Sequence, residues 1–216
     1  MTNQELEIKV TDELFWDPKV NNESIVVSAD DGTVTLRGAV GSFREKREAA
    51  KATQRIYGVV DVKNKLKVEL MTENAREDAD LRADVLRALM LDSLVPKTVG
   101  ADVYGGYVTL TGTADRQFQR TEAEFIAGNI IGVIDVDDQI ELTGPPPSAE
   151  QVDGAIAAAF DRNAKLDADA LKVETSNGTV TVKGTVRSWA EHDEAIDAAW
   201  AAPGVRKVHD RILVLY

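Results

Sequence analysis

The two histidines are the first side chains to test for chemistry, because imidazole can act as a general base or as a metal ligand. His192 has Glu191 and Asp193 beside it, and His209 is followed by Asp210. A metal site needs ligands that converge from several directions, and these neighbours could supply carboxylates. We nevertheless interpret both histidines as structural or solvent-facing residues.

No other residue type forms a catalytic arrangement. The chain has no cysteine, which excludes disulfides, thiolate metal sites and cysteine nucleophiles. Asp135, Asp137 and Asp138 lack the loop spacing of a calcium site, and we interpret them as solvated charge. The glycines do not open a helix after a strand, as those of phosphate-binding loops do. Neither a Ser-His-Asp triad nor a paired-carboxylate cleft can be argued from the sequence. The sequence therefore predicts no catalytic residue, no metal and no cofactor.

Basic side chains at alternating positions are better candidates, and they suggest binding. Lys63, Lys65 and Lys67 alternate along one predicted strand, and Arg37 lies on its predicted neighbour. Residues two apart share one face of a strand, so these four should form a basic open face in the first third of the chain. This face is the predicted contact for an anionic surface or a partner.

The equivalent faces in the other two thirds differ in charge. The middle third, residues 71–143, carries 14 acidic and 6 basic side chains, whereas the whole chain has a net charge of −12. Its open face should be acidic, with Tyr107, Thr109, Asp137, Gln139 and Glu141. The face of the last third should be mixed and partly apolar, with Thr179, Thr181, Lys183, Arg211, Leu213 and Leu215. Only the first face is expected to attract anionic lipid. Alternatively, it could dock against the acidic middle third.

Aromatic side chains near helix ends form a second group of candidates: Phe15, Trp16, Trp189 and Trp200. Phe43 and Trp189 hold equivalent positions, each following a serine that could cap a helix. Such rings can insert at a membrane interface. They can also staple a helix to its own core, and the sequence leaves both roles open.

A threefold repeat positions all these residues. A Gly-x-Val-Thr-(Leu/Val)-x-Gly strand occurs three times, and in each copy a Gly-Val pair follows 26 residues after the first glycine. The nine glycines are Gly32, Gly38 and Gly58, then Gly106, Gly112 and Gly132, then Gly178, Gly184 and Gly204. Asp31-Gly32, Gly105-Gly106 and Asn177-Gly178 are dipeptides that favour tight hairpins. We expect these glycines to be structural.

Each hairpin is flanked by helical patterns. After it, small or apolar residues recur at helical spacing, so that Ala52, Ile126 and Ala198 should face the sheet in equivalent positions. Ser42 with Glu45 and Ser188 with Glu191 predict capping boxes, and Asp115 is the expected cap in the middle copy. Before each hairpin, paired apolar residues predict a first helix: Val10 and Leu14, Val85 and Leu89, Ile156 and Phe160.

The predicted fold is α+β, with three tandem αββαβ modules at residues 1–70, 71–143 and 144–216. Each module should have a three-stranded mixed sheet with two helices packed on one face. Its last strand should run parallel to the strand before the second helix, because the connection crosses over. Linkers are predicted near Met71–Ala79 and at Gly144–Pro147.

The repeat resembles the BON domain, a bacterial module named for osmotically induced and nodulation proteins. The resemblance rests on Gly32–Gly38 with Gly58–Val62, Gly106–Gly112 with Gly132–Val136, and Gly178–Gly184 with Gly204–Val208, and it covers nearly the whole chain. It implies a non-catalytic protein associated with attachment to phospholipid membranes, with envelope integrity and with stress tolerance.

The leading hypothesis is a tandem interaction protein that binds a phospholipid surface or a protein partner in a stress-related role. The alternative is a soluble, chaperone-like scaffold without lipid contact. Nucleic acid is not expected, because the acidic chain is repelled by phosphate backbones. Charged residues near the N-terminus and short apolar runs predict a cytoplasmic chain that is not transmembrane and is at most peripheral to the membrane. The oligomeric state is not indicated.

Overall fold

The computed structural model describes residues 1–143, 149–164 and 166–216, together forming three αββαβ modules. The predicted linker at Gly144–Pro147 lies outside the described residues. In the first module the elements are α1 (Asn3–Trp16), β1 (Ile25–Asp30), β2 (Thr33–Val40), α2 (Phe43–Gln54) and β3 (Asp61–Val68). In the second they are α3 (Asp78–Leu91), β4 (Gly100–Tyr104), β5 (Tyr107–Thr111), β6 (Thr113–Ala114), α4 (Gln117–Ala127), β7 (Asp135–Asp138) and β8 (Glu141–Leu142). In the third they are α5 (Ala149–Arg162), β9 (Leu171–Ser176), β10 (Thr179–Val186), α6 (Trp189–Ala201) and β11 (Lys207–Val214). Short 3₁₀ turns lie at Asn22–Ser24, Thr72–Asn74 and Ala168–Ala170.

Each module forms its own sheet with the predicted topology. The central strand pairs antiparallel with the hairpin partner and parallel with the last strand. The parallel register is the same in all three modules: Thr33 lies opposite Asp61, Tyr107 opposite Asp135 and Thr179 opposite Lys207. The mixed α+β fold with three tandem modules is confirmed.

The sheet of the second module is interrupted where the other two are continuous. The strand predicted to run from Val136 to Leu142 is divided into β7 and β8, and the central strand is divided at Gly112. The ladder keeps its register, because the amides of Gln139 and Glu141 donate to the carbonyl oxygens of Leu110 and Gly112 at 2.9 and 3.0 Å. The interruption is therefore local.

The motif glycines are explained by backbone geometry. Asp31 and Gly32 both have positive φ, 45° and 79°, as required by the tightest hairpin turns. Farther along the strand, Gly38 has φ of +119°, and a Cβ there would collide with the carbonyl oxygen of Ser24. Gly112 and Gly184 make the same close approach to the preceding segment. All nine predicted glycines have positive φ.

The core lies between the helices and the sheet. The predicted first-helix pairs, Val10 with Leu14, Val85 with Leu89 and Ile156 with Phe160, are all buried. In the first module, α1 and α2 contact each other and the sheet, and α5 and α6 do the same in the third. The helices thus occupy one side of the sheet and leave the other side open.

The predicted equivalence of Ala52, Ile126 and Ala198 holds only in part. Ala52 is buried, whereas Ile126 and Ala198 are half-buried. The fully buried positions common to the second helices lie beside them, at Ala49, Ala123 and Ala195 and at Thr53, Ala127 and Ala199. The predicted position therefore lies at the edge of the buried stripe.

The helix caps also depart from prediction. Ser42 and Ser188 cap as expected, each accepting a hydrogen bond from the amide three residues later. The carboxylates of Glu45 and Glu191 do not close a capping box, since they accept from the amides of Gly41 and Arg187. Asp115 is not the cap of α4, because the helix begins at Gln117. There the side chain of Gln119 accepts from the amides of Asp115 and Arg116.

Two compact units emerge from the contacts, and their division runs through the second module. One contains residues 1–93, 100–111 and 123–139, and the other contains residues 94–99, 112–122 and 140–216. None of the described helices is both long enough and apolar enough to span a bilayer.

Candidate binding surfaces

The structure brings the four predicted basic residues together. Lys63, Lys65 and Lys67 are exposed on one side of β3, and the parallel register places Arg37 opposite Lys65. Arg37 donates to the hydroxyl of Ser28 at 3.2 Å. Within the described residues, none of the four forms an ion pair. We call these residues the first basic face.

This face also carries carboxylates, which the sequence prediction left out. Asp30 and Asp61 flank Thr33 in the row at the hairpin end, and the cations occupy the rows behind it. All four cations are exposed, and the contact that Arg47 makes with the second module lies on α2 instead. The positive charge is available to solvent.

The third open face is mixed and partly apolar, as predicted, because Leu213 and Leu215 are 60% and 54% exposed. It also carries more basic side chains than the prediction included. Lys183 on β10 lies between Lys172 on β9 and Arg211 on β11, and Lys207 opens the last strand on the same side. Lys183 pairs with Glu174 at 2.6 Å, which lowers the pKa of that carboxyl. The prediction missed Lys172 and Lys207 because it left the first hairpin strand and the first residue of the last strand out of the face. The first module is therefore not alone in presenting a basic surface.

The second open face is acidic and also aromatic. Asp137 lies in one row with Thr109 and Asp102, and the next row holds Tyr104, Tyr107 and Asp135. Tyr104, Asp102 and Asp135 were not included in the predicted face. We call Asp102, Tyr104, Tyr107, Asp135 and Asp137 the acidic tyrosine face.

Exposed apolar residues mark the ends of two first helices. Phe15 and Trp16 close α1 with their rings 5.2 Å apart, edge to face, and Met90 and Leu91 hold the equivalent places in α3. Trp16 is 78% exposed and Leu91 is 80% exposed. We call these four residues the exposed helix ends. Phe15 and Trp16 were among the predicted candidates. Met90 and Leu91 were not, although alignment of the first helices on Leu14 and Leu89 places them at equivalent positions.

Of the remaining predicted aromatics, the two tryptophans staple α6 to its own core, whereas Phe43 does not pack on the core of its own module. Trp189 and Trp200 are half-buried against the core of the third module. Phe43 is buried beside Arg47, whose guanidinium carbon lies 5.8 Å from the Phe43 ring and 4.8 Å from the Phe125 ring. Arg47 also donates to the side-chain oxygen of Asn129 at 2.9 Å. This contact joins α2 to the second module.

His192 occupies an ionic site between α6 and β11. Its Nε2 lies 2.7 Å from a carboxylate oxygen of Asp210, and its Nδ1 lies 3.0 Å from one of Asp193. Burial lowers the pKa of His192, but the hydrogen bonds to Asp193 and Asp210 outweigh it and leave the pKa raised. His192 is therefore a structural residue.

Neither of the other sites considered for metal binding gains support. His209 is exposed on the open side of β11, and no group of three metal-ligating side chains occurs in the part of the chain that the structure describes. Asp137 accepts from the side chain of Gln139 at 2.7 Å.

Comparison with known proteins identifies the repeat. The family model of the BON domain matches residues 2–69, 77–144 and 148–216. Osmotically-inducible protein Y of Escherichia coli (strain K12) is 30% identical over 146 residues, which cover 65% of this chain and 73% of that protein.

Similarity to solved structures is weak. CdsD, a structural protein of the type III secretion system of Chlamydia trachomatis, is 14% identical with a TM-score of 0.28, over 98% of this chain and 92% of that chain. The periplasmic domain of PrgH is 12% identical with a TM-score of 0.23, over 95% and 99%. At these scores the likeness has no bearing on function.

Proposed function

Because this chain belongs to the BON-domain family, we propose that it is a non-catalytic interaction protein that attaches peripherally to phospholipid membranes. The name of its osmotically inducible relative supports a stress-related role. The attachment would use surface side chains only, so it needs no metal or cofactor.

The observation that carries this proposal is the pair of exposed helix ends. Exposed apolar side chains that adjoin one another, as the rings of Phe15 and Trp16 do, mark interaction or membrane sites on soluble proteins. The third module has the same fold but ends its first helix in Asp161 and Arg162, so the fold does not need apolar residues there. Tryptophan and phenylalanine favour the boundary between headgroups and acyl chains, where Phe15 and Trp16 could insert.

The basic faces add a second, electrostatic contribution. Each lysine near an anionic bilayer contributes about 1 kcal/mol, and the attraction fades within a Debye length of about 8–10 Å. In the first module the helices cover one side of the sheet and the first basic face is on the other. The residues that insert and the residues that contact anionic headgroups therefore lie on separate surfaces of this module. Only binding through the first basic face depends on the charge of the lipid.

Vesicle flotation with two variants tests the proposal. The first variant replaces Phe15 and Met90 with Asp, and Trp16 and Leu91 with Arg. These are the residues of the third module, and the net charge does not change. We expect at least a tenfold loss of binding to neutral phosphatidylcholine vesicles. Replacing Lys63, Lys65 and Lys67 with Gln should leave that binding unchanged. The same replacement should remove about 100-fold of the binding to vesicles that contain phosphatidylglycerol.

The matched control replaces three exposed lysines elsewhere, Lys9, Lys51 and Lys97, with Gln. It removes the same charge and should retain most of the binding to anionic vesicles. Failure of the native chain to float with either vesicle would refute membrane attachment. Equal flotation of the native chain and the helix-end variant would show that the exposed apolar residues are not the contact.

A protein-binding scaffold is the second candidate. An anionic membrane would repel the acidic tyrosine face. This face therefore favours a role in binding a protein partner.

A further inference from the structure

Two tyrosines stand in solvent at the tip of the second hairpin. Tyr104 is 87% exposed and Tyr107 is 56% exposed. They face each other directly across β4 and β5, and Asp135 lies beside Tyr107 on the neighbouring strand. The next row places Asp102 and Asp137 on either side of Thr109. Aromatic faces and carboxylates thus occupy adjacent rows of one surface.

The other two modules show that the fold does not require these rings. The positions of Tyr104 and Tyr107 are held by Asp30 and Thr33 in the first module, and by Ser176 and Thr179 in the third. All three hairpins turn with positive φ and keep the same register. Since small polar residues serve equally well there, the exposed tyrosines are not explained by hairpin stability.

Charge identifies the kind of partner. The strands β4, β5 and β7 contain no lysine or arginine, whereas the open faces of both other modules carry both residue types. One cation does reach the rim of the face: Nε of Arg82 lies 3.1 Å from a carboxylate oxygen of Asp102. A guanidinium is therefore already accommodated at this edge.

From these observations we propose that the acidic tyrosine face docks an arginine-bearing segment of a partner protein. Guanidinium groups stack on tyrosine rings and pair with carboxylates, so both rows of the face recognise the same cation. Tyrosine and arginine are also enriched among the residues that dominate protein interfaces. This interaction is independent of membrane attachment, because it uses another surface and the opposite charge preference.

Fluorescence polarisation with the full chain tests the proposal. The probe is a labelled twelve-residue peptide of alternating arginine and threonine, and its counterpart carries citrulline in place of arginine. Replacing Tyr104 with Ser and Tyr107 with Thr installs the residues of the third module, so the fold should persist, and circular dichroism checks this. We expect at least tenfold weaker binding of the arginine peptide at unchanged net charge. Asp135→Asn with Asp137→Asn should weaken it to a similar extent.

The control for general electrostatics is Asp167→Asn with Asp169→Asn, which removes two exposed carboxylates from the third module. It should change affinity less than twofold. Equal affinity in the native chain and the tyrosine variant would overturn the proposal, as would equal binding of the citrulline peptide. Sedimentation of the protein alone tests whether a second copy of the chain binds the acidic tyrosine face instead. Self-association that is lost in the tyrosine variant would assign this face to a second copy of the chain and overturn the heterologous partner.

Discussion

Raising the pH should destabilise the third module through His192. This side chain is only 8% exposed, and each of its ring nitrogens faces a carboxylate, from Asp193 and Asp210. A neutral imidazole has one N–H, so it can donate to only one of them and must turn a lone pair toward the other. Both contacts are favourable only when the ring is protonated.

The direction of the pH dependence follows from the raised pKa of His192. A group whose pKa is higher in the folded state stabilises that state fully below its unfolded pKa, which is about 6.5 for histidine. The stabilisation is lost as the pH rises through the raised pKa of the folded state. Hydrogen bonds to charged groups contribute about 1.5–3 kcal/mol. Because both carboxylates are exposed to solvent, which screens them, we expect a loss of about 1–2 kcal/mol.

Tryptophan fluorescence can report on this module alone. Replacing Trp16 with Phe leaves Trp189 and Trp200, which both lie on α6. Urea titrations of this variant at pH 6 and pH 8.5 should give a lower free energy of unfolding at the higher pH. The matched control adds His192→Lys, because lysine occupies the equivalent position in the first module, Lys46, and stays charged throughout this range.

A second titrating group must be separated from His192. Burial raises the pKa of Asp197, and the nearby charges of Asp193 and Glu194 raise it further. The stabilising contribution of Asp197 is also lost as the pH rises. Asp197 is present in both the chain with His192 and the His192→Lys variant, so the difference between their pH responses comes from His192. An identical pH response in both chains would refute the ionic site, and so would a flat response in both.

Three further substitutions test the packing. Gly38→Ala should lower the free energy of unfolding by about 3 kcal/mol or more, because the added methyl group collides with the carbonyl of Ser24 and the residue has a positive φ. A melting temperature near that of the native chain would contradict this close approach. Gly154→Ala, in α5 with open space around its Cα, should instead stabilise by up to about 1 kcal/mol, and a measured loss would mean that the space is occupied. Ile126→Ala should cost about 1–2 kcal/mol in a urea titration, below the 2–5 typical of fully buried sites, and a larger loss would show that the side chain is buried after all.

The repeat could be predicted because its signals depend on backbone geometry. Only glycine tolerates the approach made at Gly38, and turn pairs such as Asn177-Gly178 tolerate positive φ, so spacing alone gave the modules, the hairpins and the parallel register. The residues with which the second helices face the sheet could be predicted only in part, because alanine packs equally well at the centre and at the edge of a buried stripe. The capping carboxylate of Glu45 was misassigned because two neighbouring amides were within its reach, and only coordinates distinguish them.

The residues of a binding surface could be predicted only where the alternation of side chains between the two faces of the sheet was followed along every strand. Lys63, Lys65 and Lys67 stand out because one strand carries all three. The basic residues of the third open face are spread over three strands, so Lys172 and Lys207 become its members only when the register is known. The exposure of Trp16 could not be read from its sequence at all, because Trp189, a chemically identical side chain, is half-buried at the start of another helix.

The three copies also separate what the fold needs from what it merely permits. Positions that pack are filled alike, as Ala49, Ala123 and Ala195 show. Positions that diverge lie at the helix ends, on the open faces and at the site of His192, where the first module has lysine and the second has arginine. Because one scaffold accepts each alternative, stability cannot explain the difference between them. Exchanging such residues between copies should therefore alter binding, or pH response at His192, while the fold is retained. The role of each module should thus be sought in its divergent residues.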